Sequence, residues 1–261
     1  MSLEIIELFS LRNETAVVIG GKGKVGMPIS LALAEAGAKV YIVSPSASDS
    51  MEEVKQLRGK GFNVHGRSLD QSNEDGINSL IEEIELEGST PSVLVNSGVF
   101  RPMKKYLDDG AEAWMDSMEV NSKGLFLTCK MFANKMKNLG GGSIINISSV
   151  YGIVAPDKSI YAGTDMNTEP DYPYNKGGMI MFSKYMASYY AEFGVRINCI
   201  APGGIFNDQD RSFVNKYVQK VPMKRMGKPD DLKGAAVFLA SRASEYITGA
   251  VIPVDGGFTI I

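Results

Sequence analysis

The chain has 261 residues, of which 44% are hydrophobic and 22% charged, and this is enough apolar material for the core of a large globular domain. Its formal net charge of −3 argues against a general nucleic-acid or membrane-surface binder, and no apolar stretch is long enough to span a bilayer. The single histidine, His65, excludes a histidine-rich metal site, while Cys129 and Cys199 form no CxxC pair and fit a reducing cytoplasm.

Short apolar runs alternate with longer segments of helical periodicity along the whole chain. The runs predict seven strands at Thr15–Ile19, Lys39–Val43, Phe62–His65, Ser92–Asn96, Ser143–Ile147, Arg196–Ala201 and Val251–Val254. The segments between them predict helices at Gly26–Ala36, Ser50–Lys60, Asn73–Glu87, Ala111–Asn138, Pro173–Phe193 and Asp230–Ala240. This alternation predicts an α/β doubly wound Rossmann fold, with a seven-stranded parallel sheet covered by helices on both faces. No linker divides the chain, so residues 1–261 are expected to form one domain.

The first predicted strand runs directly into a glycine-rich turn, Gly20-Gly21-Lys22-Gly23-Lys24-Val25-Gly26, and then into a helix. Glycines let the backbone approach a pyrophosphate, whose charge meets the exposed N–H groups of a helix N-terminus. A tight strand–helix turn without a ligand is the alternative. Because the turn is the first in a parallel β–α pattern, we expect Gly20, Lys22, Gly23, Lys24, Val25 and Gly26 to bind a dinucleotide.

The second predicted strand bears on the type of dinucleotide. An acidic residue at its end would bind the ribose hydroxyls of NAD, and this chain has Ser44 there. Lys22 and Lys24 could face a 2′-phosphate, so the pattern favours NADP over NAD, although both lysines could equally be solvated. Asp70, after the third strand, is either an adenine-pocket residue or an acidic turn residue.

A candidate acid/base pair lies in Tyr172-Pro173-Tyr174-Asn175-Lys176, with Pro173 expected at the first helical position and Tyr172 at the cap. Lys176 is one turn away on the same side of the helix, and its ammonium would lower the phenol pKa. The pair could then exchange a proton with a substrate oxygen while a hydride moves at carbon. No other tyrosine has a lysine four residues later.

Several motifs occur in a characteristic order from about Leu8 to the C-terminus. They are Gly20–Gly26, Asn96-Ser97-Gly98, Asn121, Ile145-Asn146-Ile147-Ser148-Ser149, Tyr172 with Lys176, Arg196-Ile197-Asn198-Cys199-Ile200-Ala201-Pro202-Gly203, and Val254-Asp255-Gly256-Gly257. With this set the chain resembles the single-domain short-chain dehydrogenase/reductase family. The resemblance implies a homodimer or homotetramer that binds NADP or NAD and a small-molecule substrate.

The resemblance also implies residue roles. Ser149 would bind the reacting oxygen, Tyr172 would be the general acid/base, Lys176 would lower its pKa and hold the nicotinamide ribose, and Asn121 would support a water-linked proton relay. Asn96 and Gly98 would line the cofactor, and Pro202, Gly203 and Ile205 would line the nicotinamide pocket. The usual family distance from the serine would select Tyr161, twelve residues after Ser149, but position 165 is an aspartate. A carboxylate there would raise a phenol pKa, so Tyr172 is preferred.

These observations predict an NAD(P)-dependent oxidoreductase acting on a carbonyl or secondary alcohol. A narrower resemblance of residues 151–164 to bacterial oxidoreductases of nonulosonic-acid synthesis and flagellin modification implies a sugar-like or polyol substrate. The alternatives are a non-catalytic cofactor-binding relative, or an epimerase or dehydratase with a tightly held cofactor.

Two long segments, 152–171 and 203–228, are expected to cover the substrate, with Phe206, Phe213 and Tyr217 as an apolar face. A set of basic residues either surrounds an anionic substrate or forms a solvated face: Arg101, Lys104, Lys105, Lys216, Lys220, Lys224 and Arg225.

Overall fold

The computed structural model describes residues 4–261, apart from the side chain of Tyr106. Its strands are β1 (Thr15–Ile19), β2 (Lys39–Ser44), β3 (Val64–Ser68), β4 (Val93–Asn96), β5 (Gly142–Ile147), β6 (Val195–Pro202) and β7 (Val251–Val254). All pair in parallel in the order β3-β2-β1-β4-β5-β6-β7. The predicted seven-stranded Rossmann sheet is confirmed.

Helices cover both faces of this sheet. They are α1 (Ile5–Leu8), α2 (Gly26–Glu35), α3 (Glu52–Gly59), α4 (Glu74–Leu86), α5 (Ala111–Met118), α6 (Gly124–Asn138), α7 (Asp171–Tyr190), α8 (Arg211–Gln219) and α9 (Lys233–Ala240). Side chains alternate across each strand, so Val17 belongs to the same apolar core as side chains of α4, α6 and α7, whereas Ala16 and Val18 belong to the core formed with α2, α3 and α9. The strands are therefore apolar on both faces.

The sheet has its topological switch point between β1 and β4. From β1 the chain proceeds to β2 and β3 on one side, and from β4 it proceeds to β5, β6 and β7 on the other. A crevice opens at the carboxyl ends of strands where the order reverses in this way, and ligands of doubly wound folds bind there. The glycine-rich turn after β1 lies at this point.

Two predicted helices differ from the structure close to candidate site residues. The predicted helix Ala111–Asn138 is interrupted by a π-helical turn over Glu119–Lys123, which contains Asn121. The helix predicted to begin at Pro173 begins at Asp171, so Pro173 is its third residue and Tyr172 lies inside the first turn. The proline is tolerated there because the first N–H groups of a helix have no partner within it.

Two further elements were mispredicted for physical reasons. β3 runs over Val64–Ser68 and not Phe62–His65. Its last residues are polar and gave no apolar signal, but their backbone pairs with β2 as far as Ser44 and Ser68. Helix α8 lies within the segment expected to be a loop. Asp210 caps it by accepting the N–H of Ser212 at 2.7 Å and of Phe213 at 3.3 Å. Among residues 4–261, no helix is long and apolar enough to cross a membrane.

Candidate active site

The glycine-rich turn joins β1 to α2 at the crevice. Gly20 has φ +75°, and a Cβ added there would lie 2.3 Å from the amide nitrogen of Gly98. A Cβ added at Gly26 would lie 2.2 Å from the carbonyl oxygen of Gly20. Both positions require glycine, because a side chain would collide with backbone atoms. The turn is thereby packed against the segment that follows β4.

The outer side of this turn can accept phosphate oxygens. The N–H groups of Lys22, Lys24 and Val25 make no backbone hydrogen bond within the described range, and they directly precede α2. A Cβ added at Gly23 would meet only the carbonyl oxygen of Gly20, at 3.1 Å. Free N–H groups at a helix N-terminus suit a pyrophosphate, so the turn fits the phosphates of a dinucleotide.

The end of β2 fits the adenosine ribose. The hydroxyl oxygen of Ser44 is buried without a hydrogen-bond partner, and it is the one such side-chain atom in the described part of the chain. Just beyond it, the exposed Lys22 has its Nζ 3.4 Å from Ser46 Oγ, and Lys24 is exposed as well. Buried hydroxyls are nearly always hydrogen-bonded, and a ribose or phosphate oxygen would provide the missing partner.

Tyr172, Lys176 and Ser149 come together at the carboxyl end of β5. Lys176 is only 5% exposed, and its Nζ donates a hydrogen bond to the carbonyl oxygen of Ile147 at 2.7 Å. The same Nζ lies 5.8 Å from the centre of the Tyr172 ring. A Cβ at Gly152 would lie 2.7 Å from the carbonyl oxygen of Lys176, so this glycine permits the segment after Ser149 to approach α7 closely.

Opposing effects act on the phenol of Tyr172. Burial raises its pKa, but the positive charges of Lys176 and Arg101, together with a hydrogen bond to Ser149, lower it by more. Arg101 contributes at close range, because its Cζ atom lies 3.9 Å from the centre of the Tyr172 ring. Burial also lowers the pKa of Lys176, against the opposing effect of Tyr172. The result is a phenol whose pKa lies below its ordinary value, which suits proton exchange with a substrate.

Asn121 is held in the π-helical turn by three hydrogen bonds. Its Oδ1 accepts the N–H of Phe100 at 2.8 Å, and its Nδ2 donates to the carbonyl oxygen of Phe100 at 2.7 Å and to Ser117 Oγ at 3.0 Å. A cavity of about 10 Å³ separates Asn121 from Lys176 and is also lined by Asp171. This volume is close to that needed for a single water molecule.

The predicted nicotinamide-pocket residues line the same cavity as the acid/base pair. This cavity, which we call the active-site cavity, has a volume of about 280 Å³. Val25 from the glycine-rich turn borders it as well, so this turn is contiguous with Tyr172 and Lys176. Among its other lining residues are Arg101, Ser149, Tyr151, Tyr161, Thr168, Tyr172, Lys176, Pro202, Gly203, Ile205 and Gln209.

Two predicted cofactor residues have side chains that are engaged elsewhere. Asn96 Nδ2 donates to Asn146 Oδ1 at 2.8 Å and to Cys129 Sγ at 3.3 Å, inside the sheet–helix interface. Asp70 accepts the N–H and the hydroxyl of Ser72, and these bonds lower its pKa. Its carboxylate is exposed and has the geometry of an acidic turn residue. Gly98 borders the small cavity beside Asn121.

Both long segments contribute to the active-site cavity. Residues 152–171 provide Tyr161, Met166, Asn167 and Thr168, and residues 203–228 provide Gln209, Phe213, Tyr217 and Met226 besides the nicotinamide-pocket residues. Phe213 and Tyr217 are buried one helical turn apart on α8, as their predicted role as an apolar face requires. Phe206 is 48% exposed and does not line the cavity.

The basic residues considered as an anion-binding set are dispersed. Lys220 pairs with Asp157 at 2.6 Å, and Arg225 pairs with Asp231 at 2.6 Å. The ammonium of Lys216 donates to the carbonyl oxygen of Ala162. Of the seven, only Arg101 lines the active-site cavity within the described range, and no carboxylate lies within ion-pair distance of it there.

A chain of hydroxyl groups in the cavity was not predicted. Tyr161 Oη lies 2.7 Å from Tyr151 Oη and 2.7 Å from Thr168 Oγ1. Gln209, which also lines the cavity, donates to the carbonyl oxygen of Ile205 at 2.8 Å. The only signal in the sequence was the position of these residues in the two segments that follow strand ends.

Comparison with known proteins identifies the family. Residues 22–259 match the family model described as enoyl-(acyl carrier protein) reductase. Galactitol 2-dehydrogenase of Rhizobium johnstonii is 30% identical over 260 residues, covering 96% of this chain and 97% of that protein. A gluconate 5-dehydrogenase from Burkholderia cenocepacia, in complex with NADP and tartrate, has a TM-score of 0.87 at 29% identity, with 99% of this chain and 100% of that chain covered. A short chain dehydrogenase from Leptospira borgpetersenii with bound NAD+ has a TM-score of 0.85 at 31% identity, with 99% and 97% covered. The chain therefore belongs to the short-chain dehydrogenase/reductase family and is an NAD(P)-dependent oxidoreductase that acts on CH–OH or C=O groups.

Proposed function

We propose that this enzyme transfers a hydride between NADP and a carbonyl or secondary alcohol carbon of a polyhydroxylated substrate that carries a carboxylate. The observation on which the proposal rests is the convergence of Tyr172, Lys176, Ser149 and Arg101 on one cavity. The first three supply proton transfer, and the fourth supplies an unpaired positive charge. Measuring NADPH absorbance changes with sugar acids and neutral polyols tests the whole proposal.

Tyr172 is the proposed acid/base. In the oxidative direction its phenolate takes the proton of the substrate hydroxyl, and in the reductive direction its phenol returns that proton. Ser149, which is hydrogen-bonded to Tyr172, orients the substrate oxygen beside it. The nicotinamide, when bound, accepts or supplies the hydride. Lys176 keeps the phenol pKa low and would hold the nicotinamide ribose.

Asn121 is the proposed end of a proton relay. The cavity of about 10 Å³ lies between its turn and the buried Lys176 and is lined by both residues. One water molecule there would connect the ammonium of Lys176 to the region around Asn121. A relay of this kind would resupply the proton that Tyr172 gives to the substrate.

Arg101 supports the acidic substrate class. Its guanidinium stacks on Tyr172 and lines the cavity, and arginine binds carboxylates with two parallel hydrogen bonds. Tyr151, Tyr161 and Thr168 offer hydroxyl groups to a polyol chain. The Burkholderia structural neighbour, a gluconate 5-dehydrogenase, holds tartrate, which is a hydroxylated dicarboxylate. Together these features favour a sugar acid over a neutral sugar.

We expect Arg101→Gln to raise the KM for a sugar acid such as gluconate by roughly 10- to 100-fold, as the loss of a charge-assisted hydrogen bond predicts. For a neutral polyol such as galactitol the change in KM should be much smaller. Lys104→Gln, an exposed basic residue outside the cavity, is the matched control. Equal losses for the two substrates would contradict the acidic class.

The preference for NADP is proposed from Lys22 and Ser44. Lys22→Ala should raise the Kd of NADPH about tenfold and leave that of NADH nearly unchanged, because only NADPH has the 2′-phosphate. Lys24→Ala should have a smaller effect, since among the described residues it is Lys22, and not Lys24, that reaches the segment after β2. Lys55→Ala, on the exposed side of α3, serves as the control in fluorescence titrations. Tighter binding of NADH by the wild type would overturn the preference.

The domain organisation, the oligomeric state and the cellular location are also proposals. Residues 1–261 would form one catalytic domain whose two long segments cover the substrate. A set of large apolar side chains is exposed on α5, α6 and α7: Met115, Phe126, Tyr174, Met181, Tyr185 and Tyr189. Exposed apolar sets of this kind often mark subunit interfaces, which supports a homodimer or homotetramer.

The unpaired Cys129 and Cys199 support a location in the reducing cytoplasm.

A further inference from the structure

A buried polar cluster lies behind the acid/base pair, between α5 and the first turn of α7. We call it the Ser117 cluster, and it comprises Ser117, Asn121, Ser122, Asp171 and Asn175. Ser117 is fully buried and Asp171 is 2% exposed. Apart from Asn121, none of these residues has a role in the chemistry proposed above.

The hydrogen bonds of the cluster have a defined direction. Ser117 Oγ receives hydrogen bonds from Asn121 Nδ2 at 3.0 Å and from Asn175 Nδ2 at 3.1 Å. A serine hydroxyl has one proton, and this proton is donated to Asp171 Oδ2 at 2.5 Å. Because Asp171 Oδ2 accepts this proton, it determines which way the Ser117 hydroxyl points. That hydroxyl in turn presents its lone pairs to the Nδ2 groups of Asn121 and Asn175.

The orientation of the Asn121 amide is therefore set from two sides. The N–H of Phe100 donates to Asn121 Oδ1, which places Nδ2 towards Ser117. Ser117 Oγ donates its only proton to Asp171, so it can only accept a hydrogen bond from Asn121, and this also places Asn121 Nδ2 towards Ser117. On the far side, Ser122 Oγ donates to Asn175 Oδ1 at 2.7 Å, so the Asn175 amide has the matching orientation. Each of these polar groups has a partner, as buried networks require.

A carboxylate in this position is costly to bury. No cation lies within ion-pair distance of Asp171 in the described part of the chain, although the residue is almost fully enclosed. Burying an unpaired carboxylate opposes folding unless it is hydrogen-bonded. Asp171 is also the residue directly before Tyr172, and it lines the small cavity together with Lys176 and Asn121. Through Ser117, Asp171 links α7, which carries Tyr172, to the π-helical turn that carries Asn121.

We propose that Asp171 is a positioning residue, which through Ser117 holds the Asn121 amide and the first turn of α7 in the geometry that proton transfer needs. The proposal rests on the relay function proposed for Asn121. Asp171 acts as a hydrogen-bond acceptor and does not itself carry the proton. An uncharged acceptor of the same shape should therefore serve nearly as well.

The test compares Asp171→Asn, which retains an acceptor oxygen, with Asp171→Leu, which removes it. We expect kcat to fall roughly 10- to 100-fold in Asp171→Leu, as for a misplaced catalytic group, and less than about threefold in Asp171→Asn. The KM for the cofactor should change little, and the solvent isotope effect on kcat should rise in Asp171→Leu because proton transfer becomes slower. A merely structural role would lower the folded fraction without changing the isotope effect.

Ser117→Ala provides a second measurement if Asp171→Leu fails to fold, because it removes the linking hydroxyl without adding bulk. It should show the same loss of kcat and the same rise in isotope effect. Wild-type kinetics in folded Ser117→Ala would overturn the inference, as would equal losses in Asp171→Asn and Asp171→Leu. The proposed function itself fails on a different result, namely retained activity in Tyr172→Phe.

Discussion

Tyr172→Phe is expected to lower kcat by about 10²- to 10⁴-fold, the usual contribution of a general acid/base. The substitution removes the hydroxyl on which Lys176 and Ser149 act, and it leaves the ring that packs under Arg101 in place. Cofactor binding, measured by fluorescence titration, should be unchanged. Single-turnover measurements with saturating cofactor would report the chemical step directly.

Tyr161→Phe is the matched control, because Tyr161 lines the same cavity and is the tyrosine that the usual family distance selects. Its hydroxyl is bound to those of Tyr151 and Thr168 rather than to a lysine. We expect this variant to raise the KM of the substrate and to retain most of kcat. If Tyr161→Phe abolished turnover while Tyr172→Phe remained active, the assignment of the acid/base would be wrong.

Lys176→Met is expected to have the second largest effect, a loss of kcat together with a shift of the pH profile. In the oxidative direction the reactive form is the phenolate of Tyr172, so the rate rises with pH through the pKa of that residue. The charge of Lys176 is the largest single effect that lowers this pKa, and without it the effect of burial, which raises the pKa, is less opposed. The rising limb of kcat/KM should therefore move to higher pH.

The shift is measured from pH profiles of the wild type, Lys176→Met and Lys184→Met. Lys184 lies exposed on the same helix, so its replacement by methionine controls for the new side chain on α7. The remaining positive charge of Arg101 should keep the phenol of Lys176→Met from reaching the pKa that burial alone would impose. An identical pH profile in Lys176→Met and the wild type would show that the ammonium does not control the ionisation of Tyr172.

Much of the fold follows from local patterns in the sequence. β1 and β7 have the predicted bounds, because a short run of apolar residues between turns has few alternatives to a strand. Gly20 and Gly26 were recognisable because a tight strand–helix turn leaves no space for side chains. Tyr172 and Lys176 are four residues apart, and helix geometry alone places such a pair on one side. For these features the interacting groups are near neighbours in the chain.

Residues that are distant in the sequence were placed by the tertiary structure. The sequence by itself determined the parallel α/β order, the glycine-rich turn after the first strand and the tyrosine–lysine pair, since strand pattern, turn chemistry and helix period act over a few residues. Only the tertiary structure decided that Arg101 stacks on Tyr172, which lies 71 residues later. The same holds for the hydrogen bond between the Asn96 and Asn146 side chains, and for the hydrogen bond of Ser117 to Asp171 across 54 residues. The π-helical turn at Asn121 belongs with these contacts, because a longer-range hydrogen bond to Phe100 holds it. Such contacts depend on how strands, helices and loops meet at one edge of the sheet, and this is set by the packing of the whole domain.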